Sequence, residues 1–459
     1  MAILRLQMTL STHQMTEGIA GQVVTPEAPG YDEARTVFAT DVDRRPALIV
    51  RVSGPDDIAR VILHARETGS ELAVRGGGHS PAGHGVCDGG IVIDLSALRS
   101  FEADIASRTA WAGAGLTAGE YGVAAGAHGL ATGFGDAGSV GIGGITLAGG
   151  IGFLVRKHGL TIDNLLAAEI VTADGRLRRA DARTRPELFW ALRGGGGNFG
   201  VVTRLKYRLQ PVDTIVGGVL VLPATPEVIA GFVAEAEAAP DELSTIAAVM
   251  PAPPLPFVPE ELHGRPVVMA KMVHAGDSEA GRRAIAPFRS LAEPVADLLR
   301  PMKYPEMLPD EQRSRFGKVT RSMFTGGVRP WQAEAILERI GESSATMPAC
   351  EIRVLGGAMA RVPDDATAFA HRQSRVMINV AAIYDPVASE RAEHAAWVAA
   401  LAAELDDGHR GAYAGFLGDE GEERVRAAYP GATYERLAAV KAAYDPDNVF
   451  RLNQNVPPR

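Results

Sequence analysis

The chain has 459 residues, 46% of them hydrophobic and 22% charged, and its 46 basic against 55 acidic side chains leave a net charge of −9. That length has room for two or three packed cores. The acidic balance, without a basic tract, argues against nucleic acid as a partner, and no apolar run approaches the roughly 18 residues that a membrane helix needs, so no membrane partner is expected.

At the amino terminus, MAILRLQMTLSTHQ offers a very short apolar stretch and no clear small-residue cleavage site, so it does not read as a secretory leader, and the cytoplasm is the expected location. A helix is expected between Pro55 and Gly69. Pro55 suits its first turn, Asp56 and Asp57 suit its amino-terminal dipole, and Ile58, Val61, Ile62 and Ala65 form one apolar stripe. The strand ELAVR (71–75) then runs into RGGGHSPAGHG, which passes directly into a second strand, GIVIDLS (90–96). With no room for a helix between them, these glycines do not make a Rossmann fingerprint. They suit anion binding without a helix, through backbone N–H groups that glycine leaves accessible; a pair of glycine-rich surface turns is the alternative. From Gly113 to Gly152 the sequence reads as short β-type runs alternating with bare turns, a pattern that suits backbone wrapped around a ligand. AAEIVTADG (167–175) and VVTRLKYRL (201–209) read as strands, the latter half-exposed from its alternation of apolar and basic residues.

Composition changes after Gln210 and Pro211, with strand-like runs GGVLVLPA, TIAAVM, VVMAKMV, CEIRVLGGAM and VMINVAAIYDP. A second domain is placed there. PAPPLPFVPEELHGRP (251–266) carries too many prolines for a regular element and is read as a long surface loop. The tail from about Ala414 is helical. The only two cysteines, Cys87 and Cys350, can build neither a disulfide framework nor a cysteine-rich metal centre; they read as small buried hydrophobes, and no metal is expected.

RGGGHS (75–80), DGGIVIDLS (88–96), GSVGIGGITLAGGIGFLVRKHGLTIDNLL (138–166), AEIVTADG (168–175), PELFWALRGGGGNFGVVT (186–203) and YDPDNVFRLNQN (444–455) carry a resemblance over almost the whole chain. The sequence is similar to the FAD-linked oxidases of the berberine bridge enzyme and 6-hydroxy-D-nicotine oxidase type, within the vanillyl-alcohol oxidase and p-cresol methylhydroxylase class of FAD-binding domain. The resemblance implies an α+β fold with a two-part FAD-binding domain, residues 1–211 (core about 42–211) plus 414–459, and an inserted α/β substrate domain, 212–413, on an antiparallel sheet. It implies FAD bonded covalently to His79, and binding positions at Arg75, Gly76, Gly77, Gly78, Ser80, Ala137, Val140, Gly141, Gly143, Gly144, Gly150, Val201, Asn453 and Asn455. Without it, His79 would read as an incidental histidine in a glycine turn; His84 is read as a loop or supporting residue.

Many relatives carry a second, cysteinyl link just before a P-x-V-G-x-G-G pattern. The corresponding stretch here, DAGSVGIGG, has Ala137 at that position, so attachment through His79 only is expected. Val140 stands where relatives control access of dioxygen, and a packing role is the alternative. For the proton acceptor, Tyr413 of Y-A-G-F is the first candidate and Glu351 the second; each has a plainer alternative, as a packing or orienting tyrosine and as a solvated strand-end carboxylate. The implied activity is hydride transfer from a small organic alcohol, amine or related substrate to FAD, with dioxygen as acceptor and hydrogen peroxide as product. A dehydrogenase or tailoring enzyme using another acceptor is the alternative, and a non-catalytic flavin binder a further one.

Overall fold

The helix that Pro55 opens runs from Pro55 to Thr68 and ends at Gly69, whose φ of 69° lies in the left-handed region that a residue without Cβ adopts freely. Its stripe of Ile58, Val61, Ile62 and Ala65 is buried against a four-stranded sheet, in the order Gln22–Val24, Leu48–Arg51, Ile91–Asp94, Leu72–Arg75. The last three strands are parallel and nearly all apolar, as strands covered on both faces must be. This computed structural model describes residues 15–309 and 316–459; the stretch read above as no leader lies outside the described residues.

A five-stranded antiparallel sheet follows, in the order Phe101–Asp104, Thr109–Gly113, Val201–Arg208, Leu165–Val171, Leu177–Asp181. Between its second and third members in sequence lies the glycine-dense stretch, and here the sequence reading is corrected. Instead of β-type runs alone, the chain forms helices Ala118–Gly126 and Ile142–Ala148. The first opens on a capping box in which the Glu120 N–H donates to the Thr117 hydroxyl and the Thr117 N–H to the Glu120 carboxylate. The second contains two glycines of poor helix propensity, so tertiary packing overrides it: Ile142 and Leu147 are buried, and Gly143 lies against the Ala114 carbonyl where a Cβ would reach 3.0 Å.

The chain from Thr214 to Tyr384 builds an eight-stranded antiparallel sheet with the central order Thr214–Pro223, Pro266–His274, Leu243–Pro251, Met347–Val354, Val376–Tyr384, Gly317–Thr325. Helices Pro226–Ala238, Ser278–Arg289, Pro330–Glu342 and Arg391–Glu404 cover one face, where Ala270, Val249, Ile352 and Val380 share a core with Phe232, Ile336 and Leu401. The alternate residues point to the other face, toward the glycine-rich loops. The proline-rich segment connects two neighbouring strands; it buries Ala252 and Val258 and includes a 3₁₀ turn, Glu260–Leu262. The molecule is α+β, as expected. Among the described residues no helix is long and apolar enough to cross a membrane.

Polar ties hold the two parts together. Arg372, with no exposed side-chain surface, forks onto Asp163 at 2.7 and 2.8 Å, and the buried Arg156 donates to the carbonyls of Ala236 and Ala239 at the carboxyl end of a sheet-covering helix. The tail returns through helices Glu422–Ala428 and Ala432–Tyr444 and is anchored by a fully buried pair: Lys441 donates to Asp445 at 2.7 Å and to the carbonyls of Asn198 and Phe450 at 2.8 Å.

Truncating one member of such a pair strands the other charge. Asp445→Ala is expected to lower the unfolding free energy by about 3–5 kcal/mol, whereas Lys441→Met, which removes a charge and keeps the volume, costs less with its partner carboxylate still bonded to the Val449 and Phe450 N–H groups. Urea titration of both variants checks the order.

Candidate active site

The site is built where the loop after Leu72–Arg75 meets the segment before Ile142. Their backbones touch: a Cβ on Gly77 would stand 2.3 Å from the Gly141 nitrogen, and one on Gly141 equally close to that of Gly77. The 138–141 segment, a turn followed by a bend, is held from its other side, because Gly119 and Ala118 donate to the carbonyls of Gly138 and Val140. Arg75 donates one guanidinium nitrogen to Asp94 at 2.9 Å, while its buried Nη1 has no partner. At the tip of the loop the His79 ring stacks on Phe38, centroids 3.9 Å apart, and the Phe38 N–H donates to the Gly78 carbonyl. Lys318 lies 6.0 Å above the Phe38 ring.

On the other side, Tyr413 is buried against Ile151, Phe324, Phe369 and Met377, and its hydroxyl oxygen accepts the Gly150 N–H at 3.1 Å. Burial raises its phenol above the ordinary value of 10, against the opposing pull of that N–H and of Arg353. Glu351 and Arg353 project from one strand on the loop-facing side of the large sheet. Arg353 donates through Nη2 to Asp136 at 3.2 Å and to Glu351 at 3.4 Å, and Asn379 donates to Glu351 at 3.1 Å. Burial alone would push the Asp136 carboxyl up; the positive charges of Arg353, Lys271 and Lys318 outweigh it and hold the group below the usual carboxylate range.

The sequence candidates at Arg75–Ser80, Ala137–Gly144, Gly150 and Tyr413 thus belong to one connected region. Asn453 donates to the Gly197 carbonyl, and the Oδ1 atoms of Asn453 and Asn455 are buried without a partner. Val201 differs: its side chain is wholly buried in the main core. His84 lies beside the same loop, where burial and then the charge of Arg44 lower its imidazole from 6.5 to about 4. Asp136, Arg353, Asn379 and Tyr304 were not singled out in the sequence. Period-two alternation in CEIRV puts Arg353 on the face of Glu351, and that was the available signal; nothing local marks Asp136.

These residues fit a flavin nucleotide. A close backbone cradle, an unpartnered buried arginine nitrogen beside it and two unpartnered amide oxygens suit a ligand with anionic, donor and acceptor groups. Among the described residues no three His, Cys, Asp or Glu side chains approach closely enough to hold a metal.

Comparison with known proteins agrees. Residues 46–181 match the family model described as FAD binding domain, and residues 412–457 the model described as berberine and berberine like. The chain is 32% identical over 461 aligned positions to (R)-6-hydroxynicotine oxidase of Paenarthrobacter nicotinovorans, covering 96% of this chain and 97% of the relative. The crystal structure of 6-hydroxy-D-nicotine oxidase from Arthrobacter nicotinovorans superposes with a TM-score of 0.87 at 28% identity, covering 96% and 99% of the two chains. Glucooligosaccharide oxidase from Acremonium strictum, described with a 6-S-cysteinyl, 8α-N1-histidyl FAD, has the same fold, with a TM-score of 0.84 at 22% identity over 98% and 99%.

Two outcomes follow from the packing. Gly77→Ala is expected to lower both flavin content, read as the ratio of absorbance at about 450 to 280 nm, and melting temperature, whereas Gly341→Ala, where a Cβ meets nothing within 4 Å, changes neither adversely. Acidification acts through His84: unfolded, it takes up a proton below its ordinary 6.5, but folded only near 4, so stability falls as pH drops through that window. His84→Gln is expected to flatten this part of a melting-temperature profile recorded between the two values.

Proposed function

Since the chain belongs to the FAD-linked oxidoreductases of the berberine bridge enzyme type, we propose that it is an oxidase of a small organic alcohol or amine, with FAD attached through His79 alone and dioxygen as the acceptor. The observation that carries this reading is the pairing of the His79 loop, braced by Phe38 and by the Gly77–Gly141 approach, with the polar wall of Asp136, Glu351 and Arg353. His79, Arg75 and the glycine backbone at 76–78 and 141 would hold FAD, which would supply a hydride acceptor for the substrate carbon and a two-electron reductant for dioxygen; the hydride and the substrate proton together balance the two hydrogens of hydrogen peroxide.

The chain's own groups handle the proton and the orientation. Glu351 takes the substrate's hydroxyl or amine proton as the carbon–hydrogen bond breaks; Arg353 and Asn379 hold its carboxylate in place. Tyr413, whose phenol burial makes a weaker acid, keeps its proton and donates to substrate. Ala137 stands where a second, sulfur link would begin. Cys87 offers no substitute: it is buried, its thiol donates to the Ile91 carbonyl at 3.7 Å, and burial pushes it up to about 11, far from a reactive thiolate. Val140, half-buried in the 138–141 segment, is the gate to dioxygen.

Rapid mixing separates the half-reactions. Glu351→Gln is expected to slow flavin reduction by about 10²- to 10⁴-fold and leave reoxidation in air unchanged. Val140→Leu, compared as a folded, fully flavinylated protein, does the reverse, slowing reoxidation on the order of tenfold. A wild-type reduced flavin that survives for minutes in air, with no peroxide released, contradicts the oxidase.

A further inference from the structure

Among the described residues, one corner of the site holds four unpartnered donor groups, the Arg353 Nε and Nη1, the Tyr304 hydroxyl and the Lys271 ammonium, against one unpartnered buried acceptor, the Asn379 Oδ1. Strand register sets it up. Lys271 pairs across Ile246 with Arg353, and Arg353 pairs with Met377, so these four side chains share one face of the large sheet. It is the loop-facing side, since Ile246 packs with Phe153, Leu154 and Tyr304, and Met377 with Tyr413. Arg353 is 3% exposed; its Nη2 serves Asp136 and Glu351, but Nε and Nη1 are buried with no partner. Tyr304 is 1% exposed, and its hydroxyl, within electrostatic reach of Asp136, is likewise unpartnered. Among the described residues the Lys271 ammonium, half-buried, has no hydrogen-bond or ion-pair partner, although its charge acts on Asp136.

The charges point the same way. Among the groups tied to Asp136, three are cations, Arg353, Lys271 and Lys318, and two are carboxylates, Asp136 itself and the Glu351 that shares Arg353, so within this cluster cations outnumber carboxylates. A buried donor without an acceptor costs free energy, more so when the donor is charged, and a group that brings acceptors together with a negative charge relieves both deficits. A neutral hydroxyl would satisfy one donor and leave the charge unbalanced. An ammonium would add to the excess.

We propose that the substrate carries a carboxylate, received by Lys271, Tyr304 and the free edge of the Arg353 guanidinium, at the corner beside Asp136. The inference rests on the oxidase reading for the fate of the substrate, but not for its binding. A carboxylate seated there occupies the same loop-facing side of the sheet as Glu351, so the corner selects hydroxy or amino compounds bearing an acid group over neutral alcohols and simple amines.

The test is a titration of the flavin-loaded protein with benzoate and with its neutral isostere benzamide, read by the flavin difference spectrum and by calorimetry. Benzoate is expected to bind about tenfold or more tightly than benzamide, with the preference shrinking as salt rises. Lys271→Gln abolishes the preference, Lys271→Arg retains most of it, and Tyr304→Phe weakens benzoate while leaving benzamide unchanged. Lys271 is partly exposed, so its variants fold, and their melting temperatures verify it. Equal binding of the two probes by the wild type, or unchanged benzoate binding by Lys271→Gln, overturns the proposal. Selective benzoate binding by a protein that releases no peroxide with any substrate overturns the oxidase reading and leaves the carboxylate corner standing.

Discussion

Two backbones meet at Gly77 and Gly141 with no space for a single carbon between them, and most of the site depends on that approach. It brings the loop carrying His79 against the segment carrying Ala137 and Val140, which in turn aligns the short helix Ile142–Ala148 and delivers the Gly150 N–H to Tyr413. Because the contact is backbone on backbone, it needs glycine on both sides. This accounts for glycine at 77 and 141, while Gly143 is bare because it approaches the Ala114 carbonyl.

Above the loops, the large sheet contributes the polar wall, and its placement rests on a few buried ties. The Thr40 N–H donates to the Phe316 carbonyl and the Phe316 N–H to the Thr40 hydroxyl, while Tyr384 donates to Asp41 at 2.7 Å; these bonds fasten the segment containing Phe38 to the edge strand Gly317–Thr325 and its neighbour Val376–Tyr384. Arg372 with Asp163 and Arg156 with two helix-terminal carbonyls fasten the opposite side. Pairs of this kind add little over a well-packed apolar substitute, but breaking one is costly, so they specify how the two parts fit more than they stabilise either.

Much of this was legible in the sequence where a local rule decides. The Pro55–Gly69 helix follows from a proline, two aspartates, an apolar stripe and a terminal glycine, and five of the eight strands of the large sheet were visible as β-branched or alternating runs; Gly317–Thr325 and the short Ala296–Asp297 and Arg300–Lys303 were not. The Ile142–Ala148 helix was not, because glycines at 143 and 144 hide its periodicity and only contacts distant in sequence make it helical. The site divides similarly. His79 and the glycine cradle announce themselves through motif and resemblance, whereas Asp136 and Arg353, 217 positions apart, acquire meaning only once the fold joins them at 3.2 Å. Tyr304 reads as an ordinary aromatic until its hydroxyl is found buried without a partner.

The account turns on His79 as the anchor of the flavin. A tryptic digest of the purified protein contains one peptide, residues 76–99, that carries His79, His84 and Cys87 together, so fragmentation mass spectrometry of that peptide separates the three side chains. The account predicts the added mass of FAD on His79 and no flavin on any other peptide. Flavin on Cys87 or His84, or a digest in which peptide 76–99 is unmodified while all the FAD is free, contradicts it.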